Sequence, residues 1–425
     1  MNQQKWRDLV QNIIIVLLSV SAVVLFAQTQ LYSLGLHESA AALGGTAQPT
    51  AAEAPQSLTA PVRVAVTGTY GRYGNIALTT GDESFADPLG RRLSEALGSA
   101  REYLPCGEQA FLDALRGPSL YYDFLEPLPL SVLSALAGGG EEIGRDAETI
   151  TARCLVLAGR EDGDTVLTLW DGGETWLQTG TAVSADSLEQ VIARYELGGA
   201  SMALDGGEDS LIGRLSPYSL LPEEVPTLPV LTVEDPLADI DWLLSALGFN
   251  PRTRTRYLES NGTELITDGD RSLRIRPDRT VHYLSGSDIL LTVEAAGETP
   301  TLREAALGAG ALLNGLLTPV SGEGTPYLLS IRQGGSVLTL RFGYQVRGIP
   351  VRFAGGGAAA EVTLKGKTVS SLTLRLRQYT AGEESSPLLP LPQALAVAAN
   401  REPGKELSIG YVDGGGSCTA HWLAD

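Results

Sequence analysis

From Ile13 to Ala27 the chain reads IIIVLLSVSAVVLFA, fifteen residues without a charge, and the uncharged run extends to twenty between Leu9 and Gln28. A helix rises about 1.5 Å per residue, so about twenty residues cross the ~30 Å of bilayer hydrocarbon. No other feature constrains the chain as strongly, because a segment this apolar has to leave water. Lys5 and Arg7 precede the run and the next Lys or Arg is Arg63. That asymmetry places the N-terminus in the cytoplasm and everything beyond Phe26 outside. Trp6 and Tyr32 stand at interfacial positions. A cleaved leader also begins with basic residues and an apolar run, but Leu25-Phe26-Ala27 lacks small residues at both positions −3 and −1 of a cut. The expectation is a cytoplasmic stub and single-pass anchor over 1–30, with the protein in the cell membrane and its bulk on the extracellular side.

Within the run, ahead of its terminal Ala27, Ser19, Ser21 and Ala22 alone are small or polar enough to let another helix approach. Ser19 and Ala22, three residues apart, share a face and form the candidate contact for a partner helix.

Residues 31–60 are rich in Ala, Gly, Thr, Pro and Gln and read as a flexible tether. Beyond it, a 43% apolar content is ample for buried cores, while 49 glycines and 23 prolines imply many turns. The net charge of −19 repels phosphate backbones at long range, so nucleic acid is not an expected partner. Cys106, Cys154 and Cys418 lie far apart and can close one bridge at most.

The fold class expected is α+β, in modules of a helix followed by curved antiparallel sheet. A first domain spans 61–197. It opens on the alternating Val62, Val64 and Val66, continues with a helix near Pro88–Leu97, and has strands at 151–158, 165–170 and 175–179 before a helix capped by Ser184. A Pro/Gly-rich connection covers 198–236. A second unit, 237–300, starts with a helix carrying the Ile240, Leu243, Leu244, Leu247 stripe, followed by five short strands, the last at 289–293. A third, 301–425, starts with a helix at 302–317 and continues through strands to the C-terminus. Neither βαβ alternation nor a glycine-rich nucleotide turn is found.

Catalytic signatures are weak. Gly366-Lys367-Thr368 ends like a phosphate-binding loop, but Glu361 stands where its first glycine belongs and strands flank it, so a hairpin turn is expected. His37, His282 and His421 lack metal-ligand spacing. Glu141-Glu142, Asp162/Asp164 and Glu383-Glu384 sit beside turn residues and read as solvated charge, although paired carboxylates could serve a glycosidase. No enzyme, metal or cofactor is expected. One group stands apart: Arg252, Arg254 and Arg256 alternate as on one strand face, with Arg271, Arg274, Arg276 and Arg279 following within thirty residues. This basic patch could hold an anionic polymer or an acidic partner face, or be neutralised by Glu259, Glu264, Asp268, Asp270 and Asp278.

Asp241-Trp242-Leu243-Leu244 leading to Phe249, the segments Tyr257–Ile266 and Leu273–Tyr283 with their RIRPDRTVHY, and Leu328–Arg341 running on to Gly343–Val351 carry a resemblance. With the N-terminal anchor, the chain resembles the YycH/YycI family of Gram-positive regulators, and its C-terminal half is similar to PepSY-like sheets. The resemblance implies a non-enzymatic membrane protein that binds and modulates a sensor histidine kinase of a two-component system controlling cell-wall metabolism, with a second family member as a further partner. The alternatives are an exocytoplasmic binding module for an envelope polymer or ligand, and a cell-envelope hydrolase.

Overall fold

The computed structural model describes residues 60–425 except 70, 76–84, 141–142, 144–147, 161–162, 196–198, 208–209, 237–239 and 287–290. The apolar run with Ser19 and Ala22, the tether up to residue 59, His37, Glu141-Glu142 and Asp162 lie outside the described residues. Among the described residues no helix is long and apolar enough to cross a membrane.

The protein is α+β, and strands dominate. Seven strands form a first antiparallel sheet: β1 (Arg63–Thr67), β2 (Arg72–Asn75), β3 (Leu104–Cys106), β4 (Ser119–Pro129), β5 (Thr151–Gly159), β6 (Thr165–Trp170) and β7 (Trp176–Thr181). Their order is β2-β1-β4-β5-β6-β7-β3. Side chains alternate between faces in a strand, so Val64, Tyr122 and Leu155 enter one apolar cluster while Ala65, Tyr121 and Val156 enter another. Helices α1 (Arg91–Ser99), α3 (Leu130–Leu136) and α4 (Ala185–Ile192) cover the first face, and α2 (Glu108–Arg116) inserts Phe111 and Leu115 into the second. Helices thus cover both faces of this sheet. Both faces of β1 and β4 are buried, so these central strands need helices on either side.

A short pair, β8 (Ala200–Met202) and β9 (Leu220–Pro222), follows within the Pro/Gly-rich connection. The same connection supplies β10 (Pro229–Glu234) to a second sheet. The hairpin strands there are β11 (Thr255–Leu258), β12 (Glu264–Asp268), β13 (Arg271–Ile275) and β14 (Thr280–Leu284). The rest are β15 (Gly324–Gly334), β16 (Val337–Val346), β17 (Ile349–Phe353), β18 (Ala360–Lys365), β19 (Thr368–Arg375), β20 (Gln378–Ser385), β21 (Leu407–Asp413) and β22 (Ser417–Ala424). All belong to one thirteen-stranded sheet, ordered β11-β12-β13-β14-β19-β18-β16-β17-β21-β22-β10-β20, with β15 also paired to β16. The strands assigned by sequence to a second and a third unit therefore hydrogen-bond directly, across β14 and β19. Of the strand expected over 289–293, the described part makes a single bridge, Thr292 to Thr368.

Three further helices, α5 (Asp241–Ala246), α6 (Leu302–Leu317) and α7 (Leu391–Arg401), accompany this sheet. Helix α6 starts in a capping box: the Thr301 hydroxyl accepts the Glu304 N–H at 3.1 Å, and Glu304 Oε2 accepts the Thr301 N–H at 2.8 Å. Burial pushes the Glu304 carboxyl upward, but the amides of Ala296 and Thr301 outweigh it and hold the group below its ordinary value. Helix α6 packs on β15 and on α3, so one apolar cluster runs from the first sheet to the second.

Candidate interaction face

The registers of the second sheet decide which side chains share a face. Arg256, Ile266, Leu273, Tyr283 and Leu372 lie opposite one another on successive strands. Ile266, Leu273, Tyr283 and Leu372 are at most 1% exposed and belong to the core. The row one residue along points the other way: Tyr257, Leu265, Arg274, His282, Thr373, Glu361, Arg341 and Ser330. Strands β13 and β14 alternate strictly between buried and half-buried positions, and β19 does so from Ser371 to Arg375, beyond the consecutive half-buried Ser370 and Ser371. That pattern marks a sheet with one face packed and one face open to water.

Parallel rows continue the open face. Ser272, Leu284, Ser371, Thr363, Thr339 and Arg332 make one, and Arg276, Thr280 and Arg375 another, with the Arg276 N–H donating to the Thr280 carbonyl at 3.0 Å. Lys365 joins across from Thr368 and Val337. The face thus gathers Arg274, Arg276, Arg332, Arg341, Lys365 and Arg375 around hydroxyl groups, in a chain whose net charge is −19. Two carboxylates accompany them. Glu361 lies 3.8 Å from Arg341, and Asp278 sits in the β13–β14 turn, where the Thr280 amide, along with Arg276 and Arg375, holds its carboxyl below the ordinary value against the push of burial. Among the described residues, Arg274, Arg276, Arg332 and Lys365 form no salt bridge. Arg332, Thr339, Arg341 and Glu361 line an open concavity of about 430 Å³ at one end of the face. Half-buried His282 lies between the cations; burial, Arg276 and Arg274 push its pKa below 6.5, while Glu361 pulls it upward. A neutral imidazole here leaves the positive field to the arginines.

The sequence patch is divided by this geometry. Arg252 is exposed in the turn before β11, where the Asn250 side chain accepts its N–H at 3.0 Å. Arg254 also precedes β11 and pairs with Asp241 at 2.8 Å, whereas Arg256, on the helix-side register of β11, pairs with Glu264. The alternation of Arg252, Arg254 and Arg256 along one strand face is therefore corrected: the turn ends only at Arg254, and the strand begins at Thr255. Arg271 is buried against Asp268 at 2.7 Å and donates to the Gly248 carbonyl, and Arg279 pairs with Asp235 at 2.9 Å. Arg274 and Arg276 reach the open face. Their companions Arg332, Arg341, Lys365 and Arg375 come from strands 56 or more residues later and were not identifiable from local sequence.

A second charged cluster is buried. Asp123 on β4 accepts from Arg63 on β1 and, at 3.0 and 3.1 Å, from Arg153 on β5; Glu406, just before β21, pairs with Arg63 at 2.7 Å and with Arg153. Burial pushes the Asp123 carboxyl up, but the Arg153 and Arg63 guanidinium groups outweigh it and hold the pKa at about 2. Two cations thus meet two anions, an arrangement that ties the first sheet to the second. The sequence signal for it is a single charge within an apolar strand, as in SLYYDFL and TARCLVLAG.

The three thiols are free, and burial raises those of Cys154 and Cys418, the latter to about 12, so both stay protonated. Among the described residues no group of three or more His, Cys, Asp or Glu is placed to hold a metal ion. Gly366, at φ +56°, makes the β18–β19 turn. His421 is exposed on β22 and meets the Thr419 hydroxyl at 2.7 Å. No protein-family model, curated protein or solved structure matches this chain.

Proposed function

We propose that this chain is a non-enzymatic, single-pass membrane protein whose exterior works by binding, and that it adjusts the activity of a sensor histidine kinase controlling cell-wall metabolism, alone or with a second protein of its kind. The observation that supports a binding role is the division of labour in the second sheet: one face is packed, and the other presents arginines and hydroxyl groups to solvent. A surface of that kind recognises a partner through charge-assisted hydrogen bonds. The anchor over 13–27, the cytoplasmic N-terminus and the PepSY-like character of the C-terminal half belong to the same proposal and rest on the charge asymmetry and the sequence resemblance.

In this reading the kinase helix packs on the Ser19/Ala22 face. Small residues permit close approach in lipid, where one interhelical hydrogen bond averages only about 0.6 kcal/mol. Co-purification of the kinase from membranes tests it. Ser19→Leu and Ala22→Ile should reduce recovery strongly, Ser19→Ala by about threefold at most, and Val20→Leu not at all. Equal recovery of the kinase with all four variants would overturn the helix contact. The alternative, an exterior module for an envelope polymer, draws on the open face itself.

A further inference from the structure

We propose that the open face of the second sheet binds a linear phosphodiester polymer of a small polyol, laid across the strands between Arg274 and Arg332. The inference does not depend on the kinase reading. It follows from how the cations are spread. Arg274 and Arg276 are two residues apart on one strand edge, about 7 Å by strand geometry. Arg341 lies four strands away from Arg274, about 19 Å at ~4.8 Å per strand. No single small anion spans such distances, but a chain with a negative charge at every repeat does.

The groups between the cations select the kind of polyanion. Thr280, Thr373, Ser371, Thr363 and Thr339 offer hydroxyls that both donate and accept, as polyol hydroxyls and phosphate oxygens require. Tyr257 on the edge strand β11 and the His282 imidazole on β14 are the aromatic rings in the three rows, three strands apart, so the run of successive stacking platforms that single-stranded nucleic acid uses is missing from them. An acidic protein segment gains most of its affinity from aromatic or aliphatic anchors seated in pockets. On this face the aliphatic groups are the half-buried Leu265 and Leu284, with no pocket beside them to seat such an anchor among the described residues, and hydroxyls occupy the strands between Leu284 and Arg341. Guanidinium forks match phosphate oxygens two at a time, and the salt-bridge-free Arg274, Arg276 and Arg332 can reorient to do so. The overall charge of −19 opposes approach from afar, but at ~0.15 M salt screening confines that repulsion to about 8 Å and leaves the local cations dominant at contact.

Full-length protein in detergent micelles, titrated with fluorescently labelled poly(glycerol phosphate), tests the proposal. Binding should weaken steeply as salt rises. The pair Arg274→Ser with Arg276→Ser should lower affinity at least tenfold, while Arg252→Ser, in its separate turn, should leave it unchanged; the thermal transition of each variant verifies folding. An anion seated beside His282 raises its pKa, so polymer binding should move the His282 proton resonance toward the charged form at pH 6.5, with His421 unmoved. Poly-glutamate of equal length should bind at least tenfold more weakly. Absent binding, equal binding by the double variant, or an unmoved His282 would overturn the proposal. Poly-glutamate binding as tightly as the phosphate polymer would overturn it as well, in favour of an acidic protein segment.

Discussion

At the scale of single residues, the burial of Asp123 is the costliest feature of the fold, and its two arginines make it tolerable. Asp123 is fully buried and Arg63 and Glu406 are each 5% exposed, so of the four charges of this cluster only Arg153, with 16% of its side chain exposed, keeps some contact with water. Removing one partner of such a group leaves an uncompensated buried charge, a loss of about 3–5 kcal/mol. Asp123→Asn should therefore destabilise by that amount in denaturant unfolding, and a loss below about 1 kcal/mol would show that solvent reaches the site. Acidity offers a second measure. Because the carboxyl is depressed from 3.8 to about 2, its contribution is complete above its unfolded value and is lost as pH falls through that window toward 2. In the Asp123→Asn variant the stability–pH curve should be flatter over that range. Arg63, Asp123 and Arg153 are each a charge within an apolar strand; that they meet one another and Glu406 was not legible, because Arg63 and Glu406 are separated by more than three hundred residues.

At the scale of elements, periodicity identified what it could. Helix α6 occupies 302–317 as read, and β16 occupies 337–346, because each shows its 3.6- or 2-residue pattern plainly. The segment 98–150 yielded nothing by pattern, yet it holds α2, β4 and α3. In β4 the residues Ser119 to Phe124 are buried on both faces, so no alternation exists to be read, and α3 follows directly on the strand's closing Pro127 and Pro129. Helix α6 also contains a contact that local sequence cannot reveal. A Cβ on Gly308 would lie 2.8 Å from Val293 Cβ and 3.2 Å from the Glu294 backbone. Gly→Ala inside a helix ordinarily gains about 0.5–1 kcal/mol. Here overpacking, at about 1–3 kcal/mol, should reverse the sign, so Gly308→Ala is expected to lower the melting temperature. A rise would mean that the 292–294 segment yields without cost.

At the scale of the whole molecule, the connection over 198–236 is drawn into the sheet. Strand β10 pairs with β22 on one side and β20 on the other, and Leu231 is fully buried. With the apolar cluster continuous from the first sheet through α3 and α6 to the second, the region 60–425 should unfold as one cooperative unit. Calorimetry on the full chain should give a single transition whose calorimetric and van't Hoff enthalpies agree. Two resolved transitions would show that the sheets melt separately and that the cluster between them contributes little.

The sequence by itself determined the strongly apolar 13–27 run, the α+β class and most helices and hairpins, because these depend on residues within ten or fifteen positions of one another. It also contained Arg274 and Arg276, though it grouped them with Arg254 and Arg256, which the pleat turns to the opposite face or leaves in a turn. Only the tertiary structure decided which arginines stand together. The β14–β19 and β18–β16 pairings bring strands distant in the chain to about 4.8 Å spacing, and register then assigns each side chain to the core or to the open face.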